Sequence, residues 1–476
     1  MPNMHGGRRT LVLGAVTALI FSACSSAAST APSIAVPSQA PAGSAGSPAS
    51  TAPSPSAASL PSCAGLGNVT LTMLDSENTD PEKASVDVPT KAFEQANPNV
   101  TVNITYEDLD TVLKTISLKM SSDTPPDLVY GNQGYDPMGT LIKGGLILNL
   151  DKYAQAFGWD TEFDPGVIQP NRFSTDGTQF GSGSLWGLSL ASEYVAVFYN
   201  KTNLAKIGIT DATTLDSQQA FEAALAKAQA AGLQPILLGD ATQFPGTHNY
   251  SLYQSWYVPA ATSDDWVYGK AGSTFDDQAH QQAAADYQSW FQKGYYNQDA
   301  LAVAAPDATT RFGQGTGVFY IDGDWRTGDL SKALGSNVGW MLFPPASDGK
   351  HGAVGSVSLP ISISSKTKYP DCAAAYLNFI TTSDSAKQAM LDNGRIPATG
   401  VPANMQASDP LVQQEISEYN RLIADHGLMA WEDWATPTML NLMGADIQLL
   451  LAGKMTPAQY TAAIQADWVK FQSTAK

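Results

Sequence analysis

Acids, amides and aromatic rings fall side by side at several points in this chain. The groupings are Asp322-Gly323-Asp324-Trp325, Trp431-Glu432-Asp433-Trp434, Glu193-Tyr194 and Asn132-Gln133-Gly134-Tyr135. A ring beside a carboxylate suits a sugar. The apolar face of a pyranose lies on the ring, and its hydroxyls donate charge-assisted hydrogen bonds to the acid. The rival chemistry is acid–base hydrolysis of a glycoside, which needs two opposed carboxylates. Asp322 and Asp324 stand two residues apart on one turn, a spacing that does not guarantee opposition. No Gly-x-Ser-x-Gly elbow is present. Neither Cys-x-x-Cys nor His-Glu-x-x-His occurs, and the five histidines do not cluster. No catalytic residue, cofactor or metal is therefore expected. Asp322-Gly323-Asp324 lacks the remaining ligands of a calcium loop. The glycines of Phe312-Gly313-Gln314-Gly315-Thr316-Gly317 lead into a strand, whereas a dinucleotide loop leads into a helix.

These groups need elements to hold them. Residues 69–74 alternate as a strand and end at Asp75-Ser76-Glu77-Asn78. A helix opens at Pro81 and stops at Asn97-Pro98. Residues 100–106 alternate again, and Leu109, Val112, Leu113, Ile116 and Met120 then share one helical face. Leu128-Val129-Tyr130 makes a third strand, and a helix closed by Gly144-Gly145 follows. This β-α-β-α-β-α order predicts an α/β class with a parallel sheet, whose ligands sit at the carboxyl ends of the strands. Glu77, Asn78, Asn132, Gln133 and Tyr135 are at such ends. The chain pivots on residues 187–201, where an apolar lead-in reaches Glu193-Tyr194 and then a buried strand, 195–199. A carboxylate there is either solvated or given something to bind. Tyr250, Tyr253 and Tyr257 recur at i, i+3 and i+7, which fits a packed helix face as well as ligand contact. Trp431 is open in the same way, to lobe-edge packing or ligand stacking. Thr456-Pro457 opens a last helix, with Tyr460, Ile464 and Trp468 on one face.

The N-terminus reads as an export leader. Arg8-Arg9 precedes an apolar run, 11–21, and then Ser22-Ala23-Cys24. Residues 1–23 are expected to be a signal peptide, removed to leave Cys24 lipidated. Residues 24–65, rich in Ala, Ser and Pro, form a linker that cannot bury enough apolar surface to fold. The formal charge is −18, from 26 basic and 44 acidic residues. Losing Arg8 and Arg9 makes it more negative still, a surface that repels nucleic acid. Setting Cys24 aside leaves Cys63 and Cys372, which outside the membrane are expected to pair.

A family resemblance now becomes specific. Phe93-x-x-x-Asn97-Pro98-x-Val100-x-Val102, Pro126-Asp127-Leu128-Val129 and Gly145-Leu146-x-Leu148-x-Leu150 occur in order. Tyr199-Asn200-Lys201 follows, then Leu204-Ala205-Lys206-Ile207-Gly208, and later Asn393-Gly394-Arg395-Ile396-Pro397-Ala398. Together they resemble the family-1 extracellular solute-binding proteins, the maltose- and oligosaccharide-binding receptors of ABC importers. The resemblance implies two α/β lobes of type II-like periplasmic-binding-protein fold, joined by hinge crossovers and extended by C-terminal helices. It implies lobe 1 over 66–190 and 325–380, and lobe 2 over 191–324 and 381–476. It further implies a lipid-anchored, monomeric receptor outside the cell that hands a carbohydrate to permease subunits. A ligand-presenting partner of a membrane sensor and a secreted glycoside hydrolase are the alternatives. The expected ligand-binding set is Glu77, Asn78, Asn132, Gln133, Tyr135, Glu193, Tyr194, Tyr250, Asp324, Trp325, Gly355 and Trp431. Glu193 enters it because the resemblance places it at the interlobe crossover, facing the cleft.

Overall fold

The computed structural model describes residues 60–474. The expected leader, the expected lipidation site Cys24 and most of the linker lie outside the described residues. Among the described residues no helix is long and apolar enough to cross a membrane.

Strands Val69–Asp75, Val100–Tyr106 and Leu128–Tyr130 pair in parallel, the first two from Val69 opposite Val100 to Asp75 opposite Tyr106. Pro360–Ile363 and Leu188–Ser189 extend this sheet antiparallel, giving five strands. Val69, Leu71 and Met73 are buried in alternation with exposed Thr70 and Thr72 neighbours, the period-2 pattern of a covered face. Helix Asp80–Ala96 starts at a capping box, in which Thr79 accepts from the Glu82 amide and Glu82 accepts from the Thr79 amide. Helices Pro370–Thr382 and Asp384–Asp392 pack on it. Cys63 and Cys372 form a disulfide with Cα atoms 4.5 Å apart, joining the start of the described chain to the Pro370–Thr382 helix.

The second sheet is built on the strand Ala191–Asn200, longer than the expected 195–199, so that Glu193 lies within the strand and not at its mouth. Its first residues pair with Ala353–Val357 and Ile396–Pro397, and its later ones with Phe319–Gly323 and Val338–Met341. Val195 to Phe198 are fully buried, as a strand covered on both faces requires. Helices Gln278–Gln292, Met439–Leu451 and Pro457–Thr474 pack together over this lobe, with Tyr460, Ile464 and Trp468 buried.

The expected lobe boundaries move at two places. Val338–Met341 and Ala353–Val357 pair with Ala191–Asn200, so 338–357 belongs with the second sheet and not with lobe 1. Asp384–Asp392 packs on Asp80–Ala96 and belongs with the first sheet, not lobe 2. A strand's own residues specify its pleat but not which of two sheets it joins.

Candidate functional site

A cavity of about 420 Å³ lies where the two sheets face each other. Glu77 and Asn78 reach it from just beyond strand Val69–Asp75, and Asn132 and Gln133 from just beyond Leu128–Tyr130. Both are carboxyl ends of parallel strands, where such sheets place ligands. The second lobe contributes His248 from helix Phe244–Gln254, Trp325 from the turn after Phe319–Gly323, and Trp431 with Asp433. Glu193 and Val357, from the crossover strands, line it as well.

Three rings form its aromatic wall. The His248 ring centre lies 4.9 Å from that of Trp431 and 5.6 Å from that of Trp325, and the two indoles are 6.0 Å apart. Gly323 makes room for this: a Cβ there would sit 2.0 Å from the Trp325 ring. Burial pushes the His248 imidazole down to about 4, so it is neutral at physiological pH, and its Nδ1 has no partner.

Polar groups make up the rest of the lining and its support. Arg395 donates from Nη1 to Glu77 at 2.8 Å and from Nη2 to both Glu77 and Glu193. Strand Ile396–Pro397 pairs with the start of the long strand and so brings Arg395 beside Glu193. Burial pushes the Glu193 carboxyl well up, and Arg395 pulls it back. Asn132 donates to Asp433 at 3.0 Å and accepts from the Trp434 indole at 3.0 Å, which ties the two lobes across the cavity. Burial raises Asp433 to about 6, against the lowering hydrogen bond from Asn132. Gln133 is fully buried and donates to the Ser358 carbonyl at 2.9 Å, while its Oε1 has no partner. Glu82, Asp108, Asp110 and Asp322 complete an acidic lining. The Arg326 guanidinium, also lining the cavity, lies 3.5 Å from Asp322.

Seven of the expected ligand-binding residues therefore meet in one place: Glu77, Asn78, Asn132, Gln133, Glu193, Trp325 and Trp431. Five do not. Tyr135 packs its ring edge-on to Phe173 and Phe471. Tyr194 is fully buried, donating to the Glu415 carbonyl at 2.8 Å and accepting from the Trp340 indole at 2.7 Å. Tyr250 is fully buried between Phe275 and Tyr460. Asp324 turns inward to accept from the Tyr194 amide, and burial raises it to about 8. Gly355 lines a separate cavity of about 370 Å³, and a Cβ there would meet the Glu193 carbonyl at 2.4 Å. The Tyr194 and Tyr250 hydroxyls and the Asp324 Oδ1 find partners inside the protein, although Asp324 Oδ2 has none. With Asp324 turned away, Asp322 and Asp324 do not form the opposed pair that glycoside hydrolysis needs.

Sequence reading missed Arg395, His248, Arg326, Glu82, Asp108, Asp110, Asp322, Asp433 and Trp434. Asp433 and Trp434 carried a signal, since they sit in the tryptophan-flanked acidic run that supplied Trp431. Arg395 stood in the family segment 393–398, but its role there was not legible, because its partners Glu77 and Glu193 are 318 and 202 residues away. Among the described residues no group of three or more His, Cys, Asp or Glu side chains is placed to hold a metal ion.

Residues 90–415 match the family described as "Bacterial extracellular solute-binding protein". A binding protein of Brucella abortus is 24% identical over 354 residues, covering 73% of this chain and 80% of its own. Among solved structures, a chitin oligosaccharide binding protein superposes with a TM-score of 0.73 at 20% identity, over 85% of this chain and 99% of the other. The GacH receptor of Streptomyces glaucescens, solved unliganded and with acarbose, does so with a TM-score of 0.67 at 17% identity, over 86% and 99%. The two-lobed fold is that of these solute-binding proteins. With the family's match spanning more than half of its length, this chain belongs to the bacterial extracellular solute-binding proteins.

Proposed function

We propose that this protein captures a sugar or small oligosaccharide outside the cell and delivers it to an ABC importer. The observation that carries the reading is the wall of Trp325, His248 and Trp431 set against carboxylates and amides in one interlobe cavity. A pyranose has the matching halves, an apolar face for the indoles and hydroxyls for Asp433, Asn132 and Gln133. The cavity volume falls in the range typical of small-molecule sites, roughly 300–1,000 Å³. The structural neighbours whose names include a chitin oligosaccharide and acarbose support the same class.

Capture works by population shift. A ligand touching both lobes binds the closed arrangement better than the open one, and so stabilises it. The closed form then docks on the importer's permease subunits. Lipidation at Cys24 would hold the receptor at the membrane, and the 24–65 linker would give the folded part its reach. The receptor works as a monomer, since one chain supplies both walls of the site.

Tryptophan fluorescence and calorimetry against a panel of saccharides test the reading. Binding of at least one neutral or basic saccharide, with quenching or enhancement of indole emission, is the expected result. Silence towards every saccharide, with a clear response to peptides, polyamines or inorganic anions, would overturn it.

A further inference from the structure

The polar lining of the cavity is lopsided in two independent ways. The first is charge. Seven carboxylates line it, against one arginine. The chain as a whole is far less biased, with 44 acids to 26 bases. Arg326 offsets Asp322, Lys114 offsets Asp110, and Arg395 is shared between Glu77 and Glu193. These three cations leave four formal negative charges. Glu82, Asp108 and Asp433 have no cation in salt-bridge contact, and burial already pushes Glu82 and Asp433 up.

The second is hydrogen bonding. Gln133 is fully buried at the cavity and its Oε1 accepts from nothing. The Nδ1 of His248 is likewise without a partner. A neutral imidazole keeps one ring nitrogen as an acceptor, and a carboxylate offers acceptors only. Most donors nearby are already engaged, Arg395 by Glu77 and Glu193 and the Asn132 amide by Asp433; the Arg326 Nε has no hydrogen-bond partner but lies 3.5 Å from Asp322. The site therefore offers more acceptors than donors, with seven carboxylates and the Gln133 Oε1 against one lining guanidinium.

We propose that this cleft selects a saccharide bearing a free ammonium group and turns away anionic sugars. The inference rests on the saccharide reading above and narrows it. A hydroxyl satisfies an acceptor but offsets no charge. An ammonium brings three donors and a positive charge. When lobes close over unpaired carboxylates, the cost of burying that charge falls on binding unless the ligand cancels it. The indoles of Trp325 and Trp431 favour the same ligand, because a cation over an indole face is attracted by the ring quadrupole. Asp433, next to Trp431 and held by Asn132, is the acid placed to take the ammonium while the indoles take the sugar face. An anionic sugar would meet the excess negative charge, with Arg326, already beside Asp322, as the one cation on the lining.

Calorimetry on the exported chain at mildly acidic pH tests this, with matched β-1,4-glucosamine oligomers in free-amine and N-acetylated form. A neutral glucose oligomer and a uronic acid oligomer complete the set. The free-amine oligomer should bind at least about tenfold tighter than its acetylated and neutral counterparts. That gap should narrow in high salt, and the uronate should give no heat. Asp433→Asn should shrink the gap while changing neutral-sugar affinity less. Asp108→Asn, at an exposed helix cap, serves the same purpose if the first variant does not fold. Equal or tighter binding of the acetylated or neutral oligomer would overturn charge selection and leave the saccharide reading standing. Failure of every saccharide to bind would remove both.

Discussion

Helix Phe244–Gln254 sends aromatic rings into two different clusters. Tyr250 and Tyr253 turn into the second lobe, where Tyr253 stacks on Tyr287 at 4.8 Å and meets Trp256, Trp290 and Phe343. His248 turns the other way, to Trp325 and Trp431. Both clusters are rich in rings with polar tips. They differ in where those tips go. The Tyr253 hydroxyl meets that of Tyr296 at 2.8 Å, and Tyr296 donates to Asn249 at 3.2 Å. In the other cluster the His248 Nδ1 meets nothing. The core is not fully satisfied, since the Tyr287 and Tyr460 hydroxyls have no partner either; what sets the other cluster apart is that its open acceptor lies beside a cavity.

The comparison breaks most visibly at Tyr253. Removing its ring from a fully buried stack should cost about 3–5 kcal/mol of stability in Tyr253→Ala. Chemical denaturation reads this directly. Saccharide affinity of the folded fraction should stay within about twofold. Lost affinity with stability retained would move Tyr253 from core to site.

Glu432 stands on the seam between the clusters and gives the next largest effect. Its Oε2 accepts from Ser251 of the same helix at 2.8 Å, and its Oε1 has no partner. Burial raises its carboxyl from 4.5 to about 8. The folded state therefore holds a proton that the unfolded chain releases at a lower pH. The stabilising difference is complete below the unfolded value and is lost as pH rises towards about 8. Glu432→Gln keeps the shape and removes the titration. The variant should match the wild type near pH 4 and exceed it by roughly 2–4 kcal/mol near pH 8. Melting curves of both proteins across that range check it. Parallel curves at every pH would show that Glu432 is ionised in the fold.

Trp431→Ala probes the other cluster. Losing one indole from the cavity wall should weaken saccharide binding about ten- to a hundredfold, roughly 1.4–2.8 kcal/mol. Stability should shift by less than about 1 kcal/mol, because the ring is only partly buried. Calorimetry and denaturation on the same preparation separate the two numbers.

The two clusters also mark how far the sequence could be read. The first three strands and their helices were legible because each rests on a local signal. Thr79 and Pro81 open one helix, Asn97-Pro98 ends it, and alternation sets the pleat of Val69–Asp75. That Glu77, Asn78, Asn132 and Gln133 line one cavity was legible by the same route, since carboxyl ends of parallel strands follow from element order. Tyr194 and Tyr250 lie away from that cavity, which the sequence could not show for one shared reason. A tyrosine beside polar residues reads alike whether its hydroxyl faces a ligand or a distant backbone carbonyl. For Tyr194 that carbonyl belongs to Glu415, 221 residues on. The boundary near 325 failed on the same kind of long-range fact, the pairing of Val338–Met341 with the long strand.

The smallest expected effect makes the sharpest test of the comparison. Tyr250 shares its helix with His248, and its i, i+3, i+7 spacing left it open to either role. Its ring is fully buried against Phe275 and Tyr460, and its hydroxyl donates to the His280 carbonyl at 3.4 Å, a long bond. Tyr250→Phe keeps the packing and deletes only that bond. A bond this long contributes little, so the variant should lose less than about 1 kcal/mol of stability. Its saccharide affinity should equal that of the wild type, because the hydroxyl faces His280 and not the cavity. A tenfold loss of affinity at unchanged stability would mean that the Tyr250 hydroxyl reaches the ligand. The helix would then present both its faces to one site, and the Tyr250 side would belong to the cleft and not to the core.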